Sequence, residues 1–124
     1  MRLLLDTHVL LWWLAGSPKL LKTIKARIAD AEIAYVSAAS VWEMAIKTAI
    51  GKLDAPDDLE DQLPRHRFEQ LPISVSHALA VAKLPRHHTD PFDRMLVAQA
   101  AFESLTLVTS DPRLAVYGVP ILRA

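Results

Sequence analysis

Several carboxylates in this sequence stand close to points where an apolar run gives way to a predicted helix. They are Asp6, Glu43, Asp90, Asp93 and Asp111. Each has an ordinary structural explanation, since acidic side chains cap helices and interact favourably with the positive end of the helix dipole. In a parallel sheet, however, the C-terminal ends of the strands share one edge with the helix N-termini that follow them. We therefore expect these acids to lie close together, although they are far apart in sequence.

Carboxylates gathered at one point repel each other and raise one another's pKa. A divalent cation relieves this repulsion, and a set of ligands made only of oxygen favours Mg²⁺ or Mn²⁺ over zinc. Such a centre activates water and stabilises an in-line displacement at phosphorus. The positive ends of nearby helices also attract anions. The chemistry predicted for this edge is therefore the hydrolysis of a phosphodiester.

The elements that must position these acids alternate between short apolar runs and amphipathic segments. The predicted strands are residues 3–5, 33–36, 68–74, 105–109 and 119–122. The predicted helices are residues 7–15, 18–31, 40–50, 76–84 and 91–104, with a short helix opening at Pro56 and a turn or helix after Asp111. Alternating strands and helices predict an α/β fold with three layers, α/β/α, and a mostly parallel central sheet. We expect residues 1–124 to form a single domain.

Three serines are predicted to begin helices. Ser17 precedes a proline, Ser40 stands three residues before Glu43 in a Ser-x-x-Glu capping box, and Ser76 precedes an apolar run. Glu43 is then expected in the first turn of its helix. Pro72 disfavours a long central strand at residues 68–74.

Bulk composition narrows the class of protein. The chain has 124 residues, 52% of them hydrophobic, and a formal net charge of zero from 14 basic and 14 acidic residues. A contact with nucleic acid must therefore come from a local basic patch. The absence of cysteine excludes disulfides and thiolate metal sites. We see no signal peptide and no apolar run long enough to span a membrane, so a cytoplasmic protein is expected.

The sequence resembles the PIN-domain proteins, and among them the VapC-like toxins of type II toxin–antitoxin systems. The matching segments are Leu4-Leu5-Asp6-Thr7-His8, Ser40-Val41-Trp42-Glu43, Gly51-Lys52-Leu53, His88-Thr89-Asp90-Pro91-Phe92-Asp93-Arg94 and Val108-Thr109-Ser110-Asp111. They occur in the family's order over essentially the whole chain. The resemblance implies a PIN-like fold, Mg²⁺- or Mn²⁺-dependent endoribonuclease activity on RNA, a homodimer, and inhibition by a cognate antitoxin.

The resemblance also implies which acids are functional. Asp6, Glu43, Asp93 and Asp111 match the family's catalytic and metal-binding set, and Asp90 is an additional acid that is either a ligand or a helix cap. An antitoxin is expected to cover the acidic groove, with an arginine taking the electrostatic place of the metal.

Other residues near the acids have two interpretations each. Thr7 and Thr109 either hold a carboxylate or a water, or simply cap a helix. Arg94 and Lys47 either pair with the acids, bind RNA phosphates or an antitoxin, or are solvated. The adjacent residues His87 and His88 could suggest a zinc site, but no cysteine and no suitably spaced histidine supports one. We therefore expect them to lie in a loop that lines the substrate entrance.

A basic helical face and the three tryptophans also have two interpretations each. The basic residues Lys19, Lys22, Lys25 and Arg27 form one helical face, which is either solvated or an RNA track. Trp12 and Trp13 point in different directions on a helix, so one is predicted in the core and the other is a candidate interface anchor. Trp42 either lies in the core or covers the groove.

Three alternative functions remain open at this level. A DNA nuclease or a phosphatase can use a similar acidic site, and assays with RNA and DNA distinguish these enzymes. A non-catalytic binding module of the same fold is disfavoured because all the acids are present. A receiver domain is weaker still, because the first strand lacks the paired acids that a phosphoacceptor site needs. For a ribonuclease, the RNA is expected to be single-stranded at the cut.

Overall fold

A parallel sheet of five strands runs through the domain, and the computed structural model describes residues 1–124. The strands are β1 (Arg2–Leu5), β2 (Ile33–Ser37), β3 (Phe68–Leu71), β4 (Thr106–Thr109) and β5 (Ile121–Arg123). Their spatial order is β3-β2-β1-β4-β5, and every neighbouring pair is parallel. β1 is therefore the central strand, which explains why its three leucines are completely buried.

Helices cover both faces of this sheet. They are α1 (Thr7–Ala15), α2 (Lys22–Ala29), α3 (Ala38–Ala49), α4 (Leu59–Arg65), α5 (Val75–Val81) and α6 (Pro91–Glu103), followed by a 3-10 helix at Pro112–Tyr117. Leu3 and Leu5 pack into one core with residues of α1 and α2, whereas Leu4 packs into a second core with residues of α6. The alternation of side chains along β1 thus supplies both cores, and the predicted three-layer α/β/α fold is confirmed. None of the helices is both long and apolar enough to cross a lipid bilayer.

The second helix begins later than predicted. The structure starts α2 at Lys22, and the residue before it, Leu21, makes no side-chain capping hydrogen bond. Ser17 instead accepts a hydrogen bond from the backbone N–H of Lys19 at 3.2 Å within a turn. The turn brings Leu20 into the core, where it is only 2% exposed. Burial of this leucine therefore overrides the Ser-Pro signal for a helix start.

Two other predicted caps are also wrong, and in both cases an earlier serine caps the helix. Ser37 caps α3 by accepting the N–H of Ala39 at 3.0 Å, so Glu43 lies in the second turn rather than the first. Ser74 caps α5 in a reciprocal capping box with His77. β3 ends at Leu71, three residues earlier than predicted, because Pro72 has no N–H with which to continue the strand.

A buried polar junction connects β2, α5 and α6. Gln99 is completely buried; its Oε1 accepts the Ser37 hydroxyl at 2.5 Å and its Nε2 donates to the Pro72 carbonyl at 3.3 Å. The same amide lies 3.3 Å from Nδ1 of His77, whose Nε2 lies 3.2 Å from a carboxylate oxygen of Glu103. This junction fixes the cap of α3 relative to α6, the two helices that carry Glu43 and Asp93.

Candidate active site

Most of the predicted acids cap helices in the structure, at the C-terminal edge of the sheet. Asp6 follows β1 and accepts the N–H of Val9 through Oδ1 at 2.8 Å, which caps α1. Asp90 caps α6, and its Oδ1 accepts two backbone N–H groups at 2.8 and 3.1 Å. Asp111 follows β4 and caps the 3-10 helix. The prediction that these residues cap helices is therefore confirmed. Because the helices begin at the C-terminal edge of the sheet, the capping acids lie along that edge.

Glu43 is held rigidly between two side chains. It is 6% exposed, its Oε1 accepts the hydroxyl of Thr7 at 2.6 Å, and its Oε2 forms an ion pair with Lys47 at 2.8 Å. The hydrogen bond with Glu43 raises the pKa of Lys47. Thr7 begins α1 directly after Asp6, so this contact ties the glutamate of α3 to the aspartate at the end of β1. Lys47 is thus ion-paired rather than a free surface charge.

Asp93, in the first turn of α6, is the carboxyl group with the most perturbed environment. Burial, together with the charges of Asp90, Asp6 and Glu43, raises its pKa to about 6, although nearby His88 acts in the opposite direction. Burial also raises the pKa of Asp6, against hydrogen bonds from Thr109 and from a backbone N–H. Both carboxyl groups are therefore removed from solvent, and Asp93 is in addition close to other acids.

Asp111 has the opposite environment. Arg113 donates from Nε to Oδ1 at 3.0 Å and from Nη2 to Oδ2 at 2.8 Å, which lowers the pKa of Asp111. The N–H of Asp111 is bound at 3.1 Å by the hydroxyl of Thr109. The same residue hydrogen-bonds the side chain of Asp6, so Thr109 contacts the backbone of one predicted acid and the carboxyl of another.

His88 is a residue of this site that the sequence analysis did not assign to it. Its Nε2 lies 3.0 Å from Oδ2 of Asp93 and 3.6 Å from Oδ2 of Asp111, and its side chain is 8% exposed. The ligand atoms of these three residues lie within 4.8 Å of one another, whereas Asp6 and Glu43 do not belong to that group. The sequence did indicate its location, because His88 comes two residues before Asp90, the cap of α6, and so lies at the C-terminal edge of the sheet.

Arg94 follows Asp93 in sequence but does not pair with the acids. Its guanidinium donates to backbone carbonyls of the preceding loop, at 2.9 Å to Pro85 and 3.0 Å to Val81, and more weakly to those of Leu84 and His88. This residue therefore anchors the loop that carries His88.

The donor set fits a hard divalent cation. The candidate ligands are carboxylates from four different segments. The pKa values of Asp6 and Asp93 are raised mainly by burial and, for Asp93, also by the neighbouring acids. Asp6, Asp93 and Asp111 offer oxygen atoms at the sheet edge, with Glu43 fixed beside them. Mg²⁺ and Mn²⁺ prefer such oxygens.

The tryptophans divide between packing and exposure. Trp13 packs edge-on against Phe68, with ring centroids 5.4 Å apart, and its indole N–H donates to His66 at 3.2 Å. Trp42 is 60% exposed and contacts Phe92 with ring centroids 5.2 Å apart. Trp42 and Phe92 immediately precede Glu43 and Asp93 in sequence. Trp42 therefore lies on the surface beside the acids rather than in the core.

Comparison with known proteins identifies the family. The model of the PIN domain matches residues 3–120, so this chain belongs to the PIN domain family. Membership indicates a nuclease in general. Comparison with curated proteins gave no significant match.

Solved structures with the same fold include toxin–antitoxin complexes. VapBC2 from Rickettsia felis, bound to a DNA fragment from its promoter, has a TM-score of 0.75 at 15% identity, covering 99% of this chain and 98% of that chain. DNA-bound VapBC from Salmonella typhimurium has a TM-score of 0.71 at 17% identity, covering 99% and 98%. FitAcB from Neisseria gonorrhoeae has a TM-score of 0.68 at 22% identity, covering 98% and 96%. At these identities the similarity establishes the shared fold.

Proposed function

We propose that this chain is a Mg²⁺- or Mn²⁺-dependent endoribonuclease and the toxin of a type II toxin–antitoxin pair. The observation that carries the proposal is the gathering of carboxylates at one sheet edge, where burial and the neighbouring acids raise the pKa of Asp93 to about 6. Asp6, Asp93 and Asp111 hold the cation, with Glu43 completing the catalytic set. Asp90 caps α6 through Oδ1, which accepts two backbone N–H groups, and we assign it that role alone.

The residues of the site divide the catalytic work. A divalent cation bound at these oxygens supplies charge stabilisation at phosphorus and lowers the pKa of water. Thr7 and Lys47 hold Glu43 in one orientation, so its carboxylate needs no reorganisation during the reaction. α1 and α6 both begin at this edge, and the positive ends of their dipoles favour a phosphate there. The substrate proposed is single-stranded RNA, whose backbone is accessible at an unpaired segment.

Cleavage assays with matched variants test the activity. Purified protein is incubated with single-stranded RNA and DNA in Mg²⁺, in Mn²⁺ and in EDTA. Asp93→Asn is expected to lower the rate by at least about 100-fold, as the loss of a metal ligand or its close partner does. The control Asp30→Asn removes an exposed carboxylate that follows α2 and precedes β2, away from the C-terminal edge of the sheet, and should leave the rate unchanged. Circular dichroism verifies that both variants remain folded.

The outcomes separate this proposal from its rivals. Full activity of folded Asp93→Asn removes the residue from the catalytic set. Cleavage of DNA but not RNA identifies a DNA nuclease. Binding of RNA without cleavage in either metal identifies a non-catalytic module.

A surface beside the acids suits the proposed antitoxin. A groove of about 390 Å³ between α3 and α4 is lined mainly by apolar residues, including Val41, Trp42 and Leu63. Glu60 lines its α4 side, within a run of the sequence that also contains Asp57, Asp58 and Asp61. These features fit a segment with apolar anchors and flanking basic residues, and an arginine of that segment would meet the charge around Asp93.

Co-expression with the product of the neighbouring gene tests this partner. The proposal expects a stable complex that does not cleave RNA. Trp42→Ala should weaken the complex by about 2 kcal/mol, the size typical of a buried aromatic anchor. The control Leu21→Ala changes a leucine that is 58% exposed and lies outside the groove. Equal affinity of both variants would remove the groove from the interface.

An apolar surface on α5 and α6 is the face proposed for a homodimer. Val75, Leu79 and Phe102 are 77%, 66% and 56% exposed, although each is a large apolar side chain. Val75 and Leu79 lie one turn apart on α5, and the ring of Phe102 packs against His77 at the base of that helix. Sedimentation velocity of wild type and Leu79→Glu tests the assignment, which expects dimer and monomer respectively. A monomeric wild type would refute it.

The cytoplasm is the compartment proposed for this activity.

A further inference from the structure

The tautomer of His88 decides what this residue does at the acidic site. Its Nδ1 accepts the backbone N–H of Thr89 at 3.0 Å. An amide N–H is only a donor, so Nδ1 must keep its lone pair, and the proton of the neutral ring is then on Nε2. The atom that faces Asp93 and Asp111 is therefore an N–H donor.

This arrangement differs from that of a metal-binding histidine. A histidine that binds metal through one nitrogen normally donates the N–H of the other nitrogen to an acceptor. If Nε2 of His88 held the metal, the proton would move to Nδ1 and would face the N–H of Thr89, so that two donors would meet. The residue is consequently unsuited to act as a ligand, although its Nε2 lies close enough to the acids to be mistaken for one.

We propose that His88 is a positioning residue that orients Asp93 for the cation by donating from Nε2 to Oδ2. The hydrogen bond of 3.0 Å engages one oxygen of Asp93 and leaves Oδ1 for the metal. At 3.6 Å from Oδ2 of Asp111, the same N–H adds favourable electrostatics between the segments after β4 and before α6. This inference rests on the proposed metal site.

The fold supports this role by fixing the loop from the other side. Arg94 donates to the carbonyls of Val81 and Pro85 and, at 3.4 Å, to that of His88 itself. Arg94 and Asp93 are adjacent on α6. The helix therefore holds the loop through Arg94, and Asp93 accepts the hydrogen bond that His88 of the same loop donates. The 8% exposure of the His88 side chain shows that the ring is enclosed rather than swinging in solvent.

Manganese binding without RNA measures the effect on the metal. Electron paramagnetic resonance titration with Mn²⁺ is carried out on wild type, His88→Leu, His88→Gln and His87→Leu. His88→Leu should weaken Mn²⁺ affinity about 10-fold or more, the effect of losing a partner that orients a ligand. His88→Gln retains an N–H donor and should recover most of that loss. His87→Leu is the matched control, because His87 is exposed and contacts Tyr117 rather than an acid.

Nuclear magnetic resonance of the wild-type protein measures the tautomer directly. Long-range correlations between ring protons and ¹⁵N, recorded at pH 8 in EDTA, should show the proton of His88 on Nε2. A proton on Nδ1, unchanged Mn²⁺ affinity in His88→Leu, or the absence of Mn²⁺ binding would each overturn the proposal. Because the wild-type spectrum needs no variant, a failure of His88→Leu to fold leaves the tautomer test decisive. Neither measurement uses RNA, so failure to cleave RNA would count against the proposed function alone.

Discussion

Replacing Asp93 by asparagine should stabilise the metal-free protein at neutral and alkaline pH. The pKa of this carboxyl is about 6 in the folded protein against an ordinary value of 3.8. The folded state therefore binds the proton more tightly than the unfolded state does. The free energy of unfolding falls as pH rises from about 3.8 to about 6, and the full loss is present above that range.

The magnitude follows from the same two values. The difference between about 6 and 3.8 corresponds to about 3 kcal/mol at 1.36 kcal/mol per pKa unit. The variant should realise only part of this gain, because the Asp93 side chain is 25% exposed and solvent screens the charges around it. We therefore expect Asp93→Asn to be more stable than wild type by about 2 kcal/mol above pH 7 in EDTA.

Urea denaturation of both proteins in EDTA, at pH 4.5 and at pH 8, is the assay. At pH 4.5 the advantage of the variant should fall to about a third of its value at pH 8, because the folded carboxyl is mostly protonated there while the unfolded one is already largely ionised. Added Mn²⁺ should stabilise wild type at pH 8 and have much less effect on the variant. If Asp93→Asn is no more stable than wild type at pH 8, or if its advantage is equally large at pH 4.5, the argument from charge crowding is wrong.

Three further variants test other parts of the structure. Asp6→Asn keeps the cap of α1 and removes a buried charge, so urea denaturation in EDTA should find it at least as stable as wild type, whereas Asp6→Ala should lose about 1 kcal/mol. A large loss in the asparagine variant would show that the charge of Asp6 stabilises the metal-free fold. Gln99→Leu should lower the free energy of unfolding by about 2 kcal/mol, because it leaves the Ser37 hydroxyl and the Pro72 carbonyl without their partner. Arg94→Ala should release the loop at residues 81–88 and accelerate its cleavage in limited proteolysis, and an unchanged cleavage rate would show that the loop does not depend on the guanidinium.

The order of strands and helices could be predicted because the spacing of hydrophobic residues along the sequence changes at each boundary. Three consecutive leucines predicted a strand buried on both faces, and β1 is the central strand with a core on each side. The positions of the acids followed from the same reasoning, since each comes near the end of a strand or the start of a helix. Topology then brought them to one edge, which no single motif could show.

The helix caps were harder to predict because strand pairing decides where a helix begins. β2 pairs with β3 as far as Ser37, opposite Leu71, so α3 starts directly at Ala38 without a connecting loop. The Ser40-x-x-Glu43 pattern is present in sequence, but Ser40 is already inside the helix, and its hydroxyl is buried without a hydrogen-bond partner. A local pattern cannot show that tertiary pairing has moved the cap of the helix by three residues, from Ser40 to Ser37.

The role of His88 was missed for a different reason. The residue reaches the acids because Arg94 draws the preceding loop onto α6 through several backbone carbonyls. Such contacts between a side chain and the backbone leave no spacing rule in the sequence. By contrast, the pairing of Asp111 with Arg113 two residues later is local, and the ordinary attraction of opposite charges accounts for it.

The central position of β1 also governs when the site can exist during synthesis. β1 contains residues 2–5, yet one of its two neighbours is β4, residues 106–109. A growing chain can pair β1 with β2 early, but that sheet lacks its other half until most of the protein has been made. Asp93 and Asp111 join Asp6 only when β4 docks. On a ribosome, the site is therefore incomplete at least until residues 106–111 have been synthesised and β4 has paired with β1.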